Sequence, residues 1–162
     1  MVWWLAVGAV ASQWDGQSAD VVASAVVPLP RAAIEATLSD WKGWQAVVPC
    51  AEVWQIGDPS AGVGAEATAV WTLGPLRRHK VSRIVKIEPG LVLETEAAGS
   101  NGWFTQVTYA DSPSGGTLVT LTTPLGTPKW PVAKLFFTKV KPAWEACYRD
   151  TLTRLAMAPP AP

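Results

Sequence analysis

One histidine, His79, and two cysteines, Cys50 and Cys147, are all that this 162-residue chain offers of the residues that most readily bind metals. A structural zinc site takes about four Cys or His ligands at close spacing, and a redox pair takes Cys-x-x-Cys; neither pattern is present. No metal is therefore expected. Charge is scarce too: 16% of the chain, against a usual figure of about a quarter, with thirteen basic residues cancelling thirteen acidic ones. The densest basic stretch, Leu76-Arg77-Arg78-His79-Lys80, is too short to make the wide positive face that releases counterions from a nucleic acid, so that partner is not expected. No apolar run reaches the roughly 20 residues that cross a bilayer, so no integral membrane span is expected. No Gly-rich phosphate loop opens a helix and no Ser stands in a nucleophile elbow. Neither a cofactor nor a catalytic residue is assigned, and the sequence sets no oligomeric state.

What the chain has in excess is apolar surface, 49% of residues, and tryptophan, ten in all. A Trp brings a large flat apolar area and one N–H that wants an acceptor, so it serves equally well as a core peg or as a cavity wall. The two cysteines, far apart in sequence, are expected to be buried thiols; a disulfide arises only if the chain is exported. Export is itself suggested at the N-terminus. Val2–Ala11 (VWWLAVGAVA) is a short apolar run ending in Ala9-Val10-Ala11 before Ser12, the small-x-small pattern that a signal peptidase reads. The run carries no Lys or Arg, so the alternative is an apolar segment packed on a cytoplasmic protein. The expectation is a periplasmic or secreted protein, with residues 1–19 as signal-like segment and linker, 20–157 as one domain and 158–162 as a Pro-rich tail.

Along the domain, Asp20–Val27 is β-branched and strand-like, and Pro28-Leu29-Pro30 breaks it. Arg31–Leu38 opens a short helix, and Ser39 or Asp40 caps a second, Trp41–Val47, closed by Pro49. Six strand-like runs follow: Glu52–Ile56, Ala65–Leu73, His79–Glu88, Leu91–Glu96, Trp103–Tyr109 and Thr117–Thr123. Tight turn signals separate them, so antiparallel hairpins are favoured over parallel crossovers. From Pro131 to residue 157 apolar residues recur at three and four, the mark of an amphipathic helix, with Pro142 set to kink or restart it. The expected fold class is α+β, in the order β-α-α-β6-α, with a curved sheet of about seven strands around one long C-terminal helix. A concave sheet and a helix laid across it leave a pocket between them.

Several short motifs stand in a familiar order. These are Asp40-Trp41-Lys42-Gly43-Trp44 followed by Val48-Pro49; Gly62-Val63-Gly64; Val85-Lys86-Ile87-Glu88-Pro89-Gly90; and Gly115-Gly116-Thr117-Leu118-Val119-Thr120. Together they resemble the START/polyketide cyclase-dehydrase superfamily of helix-grip, Bet v-like proteins, also called SRPBCC, from Val21 to Leu155. That resemblance implies a hydrophobic cavity for lipids, sterols, polyketides, quinone-like or hormone-like molecules. It brings no catalytic motif with it, because the superfamily includes carriers, sensors and enzymes.

Trp41, Trp44, Trp71, Trp103 and Trp144 are the cavity candidates, each of which fits plain core packing as well. Period-two alternation groups His79, Val81, Arg83, Val85 and Ile87 on one face of their strand, and leaves Lys80, Ser82 and Lys86, with Ile84, on the solvent side. That makes Arg83 the expected polar handle in the cavity, to be met by a ligand anion or carbonyl, or by a protein carboxylate such as Glu66 or Glu94. The expected partner is a hydrophobic small molecule, held by a carrier or sensor. A polyketide cyclase or dehydratase, which needs acid and base groups inside the pocket, and a protein-interaction module are the alternatives.

Overall fold

Burial alternates along the first strand: Val21, Ala23 and Val27 are buried while Val26 faces solvent. In the computed structural model, which describes residues 20–58, 62–96, 104–125 and 135–158, this is β1 (Val21–Val27). Pro30 then opens α1 (Arg31–Leu38), and the Ser39 hydroxyl closes it by donating to the Glu35 carbonyl at 2.6 Å. Asp40 caps α2 (Trp41–Val47), its Oδ1 accepting from the Lys42 N–H at 3.1 Å. Such a cap satisfies one of the orphan amides of the first turn.

Six further strands follow: β2 (Ala51–Ile56), β3 (Glu66–Leu73), β4 (Leu76–Glu88), β5 (Leu91–Glu96), β6 (Phe104–Asp111) and β7 (Thr117–Thr123). All neighbours pair antiparallel, in the order β1-β7-β6-β5-β4-β3-β2. Most elements fall within a residue of expectation, but β4 begins three residues early because Leu76–Arg78 pair with Trp71–Leu73 right up to the hairpin turn. The β6–β7 turn depends on Gly116, whose φ of 78° is costly for residues with a Cβ. A Cβ there would also lie 2.4 Å from the Val27 carbonyl oxygen.

The last element is the helix α3 (Lys141–Met157), preceded by a π-helical turn, Phe136–Val140. Pro142 sits in the first turn of α3, where its missing N–H is harmless, and the Lys141 N–H reaches back five residues to the Phe136 carbonyl. The proline thus restarts the helix, as its position in the sequence suggests. Trp144, Cys147, Tyr148, Thr151, Leu152 and Leu155 form the buried stripe of α3. Each large apolar side chain fully buried in this way contributes about 1.5–3 kcal/mol. Lys141 anchors the start of α3: its Nζ donates to the Asp20 carbonyl and pairs with Glu145 at 3.2 Å.

The core lies between the concave sheet face and α1, α2 and α3, with Ile34, Leu38, Trp41, Trp44, Val92, Val107, Val119 and Leu121 among its members. The signal-like segment 1–19 lies outside the described residues. Among the described residues no helix is long and apolar enough to cross a membrane.

Candidate functional site

Across the β3–β4 ladder Ala69 stands opposite Lys80, Trp71 opposite Arg78 and Leu73 opposite Leu76. Directly opposed residues project to the same side of a sheet, so this set shares the concave face. Trp71, Leu73 and Leu76 with Arg78 and Lys80 form one wall of a cavity; Thr105 of β6 and Trp144 of α3 complete it. Its volume is about 20 Å³, room for about one or two waters, and it is partly open to solvent. Lys80 is the buried cation, 8% exposed, with its Nζ 5.3 Å from the centre of the Trp71 ring. At that distance the ring's negative face attracts the ammonium. Arg78 is half-buried beside it.

Behind Thr105 lies a buried hydroxyl cluster. Thr105 Oγ1 is 3.3 Å from Thr123 Oγ1 and 3.2 Å from the Tyr148 hydroxyl, which also bonds to Thr123. The cluster ties β6 and β7 to α3 on the floor of the cavity. Behind Trp71 runs a series of aromatic contacts: Trp71 to Trp54 at 6.5 Å, Trp54 to Trp41 at 6.3 Å and Trp41 to Trp44 at 6.2 Å between ring centres. Tilted pairs at such distances add about 0.5–1.5 kcal/mol each beyond their buried area.

No protein-family profile matches the sequence, and no curated protein matches it. Solved structures do. The chain overlays the KanY protein with a TM-score of 0.72 at 19% identity, covering 86% of this chain and 96% of that one. Against TTHA0849 from Thermus thermophilus the score is 0.69 at 14% identity, with 85% and 94% covered. Against major latex-like protein 151 from Panax ginseng it is 0.58 at 14% identity, with 85% and 97% covered. The chain has the helix-grip fold. Identity this low speaks for architecture alone.

Within this helix-grip frame the sequence-derived candidates divide. Trp71 and Trp144 line the cavity. Trp41 and Trp44 are core pegs, each 2% exposed, and their indole N–H groups are taken up by backbone: Trp41 Nε1 donates to the Ala65 carbonyl at 3.0 Å and Trp44 Nε1 to the Leu38 carbonyl at 2.7 Å. Trp103 lies outside the described residues.

Arg83 is a correction. It stands on the outer face, half exposed, donating from Nε to Glu66 Oε1 at 2.9 Å, with its Nη2 on the same oxygen. Lys80, Ser82 and Ile84 are the buried residues of β4, the opposite of the alternation expected. The cause is a bulge between Ile84 and Lys86 in the β4–β5 ladder, which brings Ile84 and Ile87 to the same inner side. Counting Ile87 back through an unbroken period of two puts Arg83 inside. His79 follows Arg83 to the outer face and is exposed.

The cysteines are the second correction. Cys50 and Cys147 are joined in a disulfide, with Cα atoms 5.8 Å apart, rather than standing as two thiols. The bond fastens the chain between α2 and β2 to the stretch of α3 that carries Trp144 and Tyr148.

Four residues of this region escape the sequence reading: Arg78, Lys80, Thr105 and Trp54. An unbroken alternation along β4 puts Lys80 on the solvent side, and with it Arg78, two residues earlier and of the same parity, whereas both line the cavity. Trp54 is turned inward by a bulge in β2 between Glu52 and Gln55, where Val53 takes φ 54°. A β-branched residue in that region is under strain. Nothing in the sequence around Val53 announces it.

Proposed function

We propose that this protein binds a hydrophobic small molecule between the concave sheet face and α3, as a carrier or sensor. The supporting observation is that Trp71 from the sheet and Trp144 from the helix face one partly open cavity. Flat indoles on opposite walls are suited to an aromatic, quinone-like, polyketide or lipid body. Because the cavity holds only about one or two waters, a whole ligand enters by parting α3 from the sheet, or leaves its body across the opening. The disulfide supports an oxidising compartment, and with the apolar N-terminal run a periplasmic or secreted location.

Native mass spectrometry of gently purified protein tests the reading, together with titration by an environment-sensitive apolar dye. A co-purified apolar molecule, or a dye bound at about 1:1 that quenches Trp emission and is weakened by Trp144→Ala, is the expected result. Absence of both would end it.

A further inference from the structure

The Cys50–Cys147 disulfide joins the two walls of the cavity. Cys50 is fastened to β3: its carbonyl accepts from the Thr72 N–H at 2.8 Å, and the next residue, Ala51, stands opposite Trp71. Cys147 lies one turn beyond Trp144 on the buried stripe of α3. The bond therefore runs from beside the Trp71 wall to beside the Trp144 wall. At the other edge of the sheet α3 is held by hydrogen bonds instead. Lys141 Nζ donates to the Asp20 carbonyl beside β1, and the Tyr148 hydroxyl bonds to Thr123 at the end of β7. The covalent tie limits how far the walls can separate. The Cα atoms of Cys50 and Cys147 are 5.8 Å apart, and disulfides usually span up to about 6.8 Å. The helix wall can thus retreat there by about 1 Å. A flat ring placed between the walls needs about 3.5 Å more separation, the contact distance of carbon atoms.

Resting on the cavity reading above, we propose that this disulfide is a redox latch on the cavity. Oxidised, it holds α3 against the sheet; reduced, it lets α3 swing from β3 on its β1 and β7 contacts and admit the body of the ligand. The reductant is a dithiol. One of its thiolates attacks the Cys50 sulfur and forms a mixed disulfide, since Cys50 is half-buried where Cys147 is only 4% exposed. Cys147 leaves as a thiolate and takes up a proton. The second thiol of the reductant then displaces Cys50, which is protonated in turn. Two electrons and two protons pass to the protein, and the dithiol becomes a disulfide.

Dithiothreitol supplies the dithiol for the test, and the chain has no other cysteine on which it can act. N-phenyl-1-naphthylamine, a neutral apolar dye, supplies the ligand body. Fluorescence titration should find it bound at 1:1 and about tenfold or more tighter to the reduced protein than to the oxidised one. The near-UV circular dichroism of the packed tryptophans should be retained; its loss would mean a molten form and overturn the latch. By reciprocity, saturating dye should make the disulfide easier to reduce by the same factor. For tenfold that is a rise of about 30 mV in the midpoint measured in dithiothreitol buffers of graded ratio. The sign of this shift separates a latch from a purely structural bond. If reduction merely unfolded the chain, a dye held by the folded state would make the disulfide harder to reduce, and the proposal would fall. The Cys50→Ala, Cys147→Ala double variant should bind the dye as the reduced protein does and ignore dithiothreitol. Equal affinities of the two forms, with reduction confirmed by a mass gain of two hydrogens, would overturn the latch and leave the cavity reading intact. Binding of the dye by neither form would overturn both.

Discussion

At Gly43 a β-carbon would lie 1.8 Å from the Thr37 carbonyl oxygen, so the absence of a side chain is what lets α2 approach α1. Alanine there should destabilise the protein by about 2 kcal/mol despite its better helix propensity, because a clash with backbone cannot be relieved by a rotamer change. A urea melt of Gly43→Ala with an unshifted midpoint would contradict the close approach. Tyr109 supplies a pH-dependent case. It is buried at 3% exposure and donates to the Glu88 carbonyl at 3.3 Å. Burial raises its pKa above the usual 10.0, and the neighbouring Glu35 carboxylate adds to the rise. The unfolded chain therefore loses this proton first as pH climbs through about 10, and stability falls there because the folded state holds the proton longer. Tyr109→Phe should lose about 1 kcal/mol near neutral pH with the hydrogen bond, yet show a flatter decline above pH 10 than the wild type. Parallel declines in the two proteins would show that Tyr109 titrates normally. At this scale the sequence speaks unevenly. Asp40 as a helix cap is local chemistry and is legible, whereas the inward turn of Trp54 follows from a bulge that no neighbouring residue signals.

Among the elements, β4 shows how far an alternation can be trusted. Its apolar residues Val81, Ile84, Val85 and Ile87 do not fall on one parity, so either face could be taken as the core face. The pairing with β3 resolves this, since Ala67 stands opposite Ser82 and Ala69 opposite Lys80, all on the buried side. The long helix is legible because its stripe repeats over four turns and because Pro142 has a defined effect on the first of them. Its disulfide is not, since the 97-residue separation of Cys50 and Cys147 says nothing about their distance in space. A cross-link over so long a loop restricts the unfolded chain, by about 4–5 kcal/mol in the entropic account. The Cys50→Ser, Cys147→Ser double variant should lose about 2–5 kcal/mol in a denaturant melt, with α3 the first element to lose amide protection. A loss under about 1 kcal/mol would mean that packing alone holds α3 on α2.

For the molecule as a whole, the disulfide and the apolar N-terminal run make one joint prediction. Protein recovered from its native host should begin at Ser12 and have an intact mass two hydrogens below that of the dithiol form. A product retaining Met1, with both thiols free, would place the chain in a reducing compartment and remove that support for export. The proposed binding of an apolar molecule at the cavity carries a further consequence. The binding of an apolar probe should raise the melting temperature, since it binds the folded state alone.

Composition, turn spacing and the two apolar periods by themselves determined the order of elements, the antiparallel sheet and the long helix across it. Those are local properties: a turn is chosen by its own few residues, and a stripe by its own repeat. The face of each strand that became the interior, the partner of each cysteine and the cations that line the cavity were decided only in the tertiary structure. A single bulge between Ile84 and Lys86 exchanges inside for outside, moving Arg83 out to Glu66 and Lys80 in beside Trp71. The physical reason is that side chains alternate with a period of two, so one extra residue reverses every assignment beyond it, and only the neighbouring strands show where it lies.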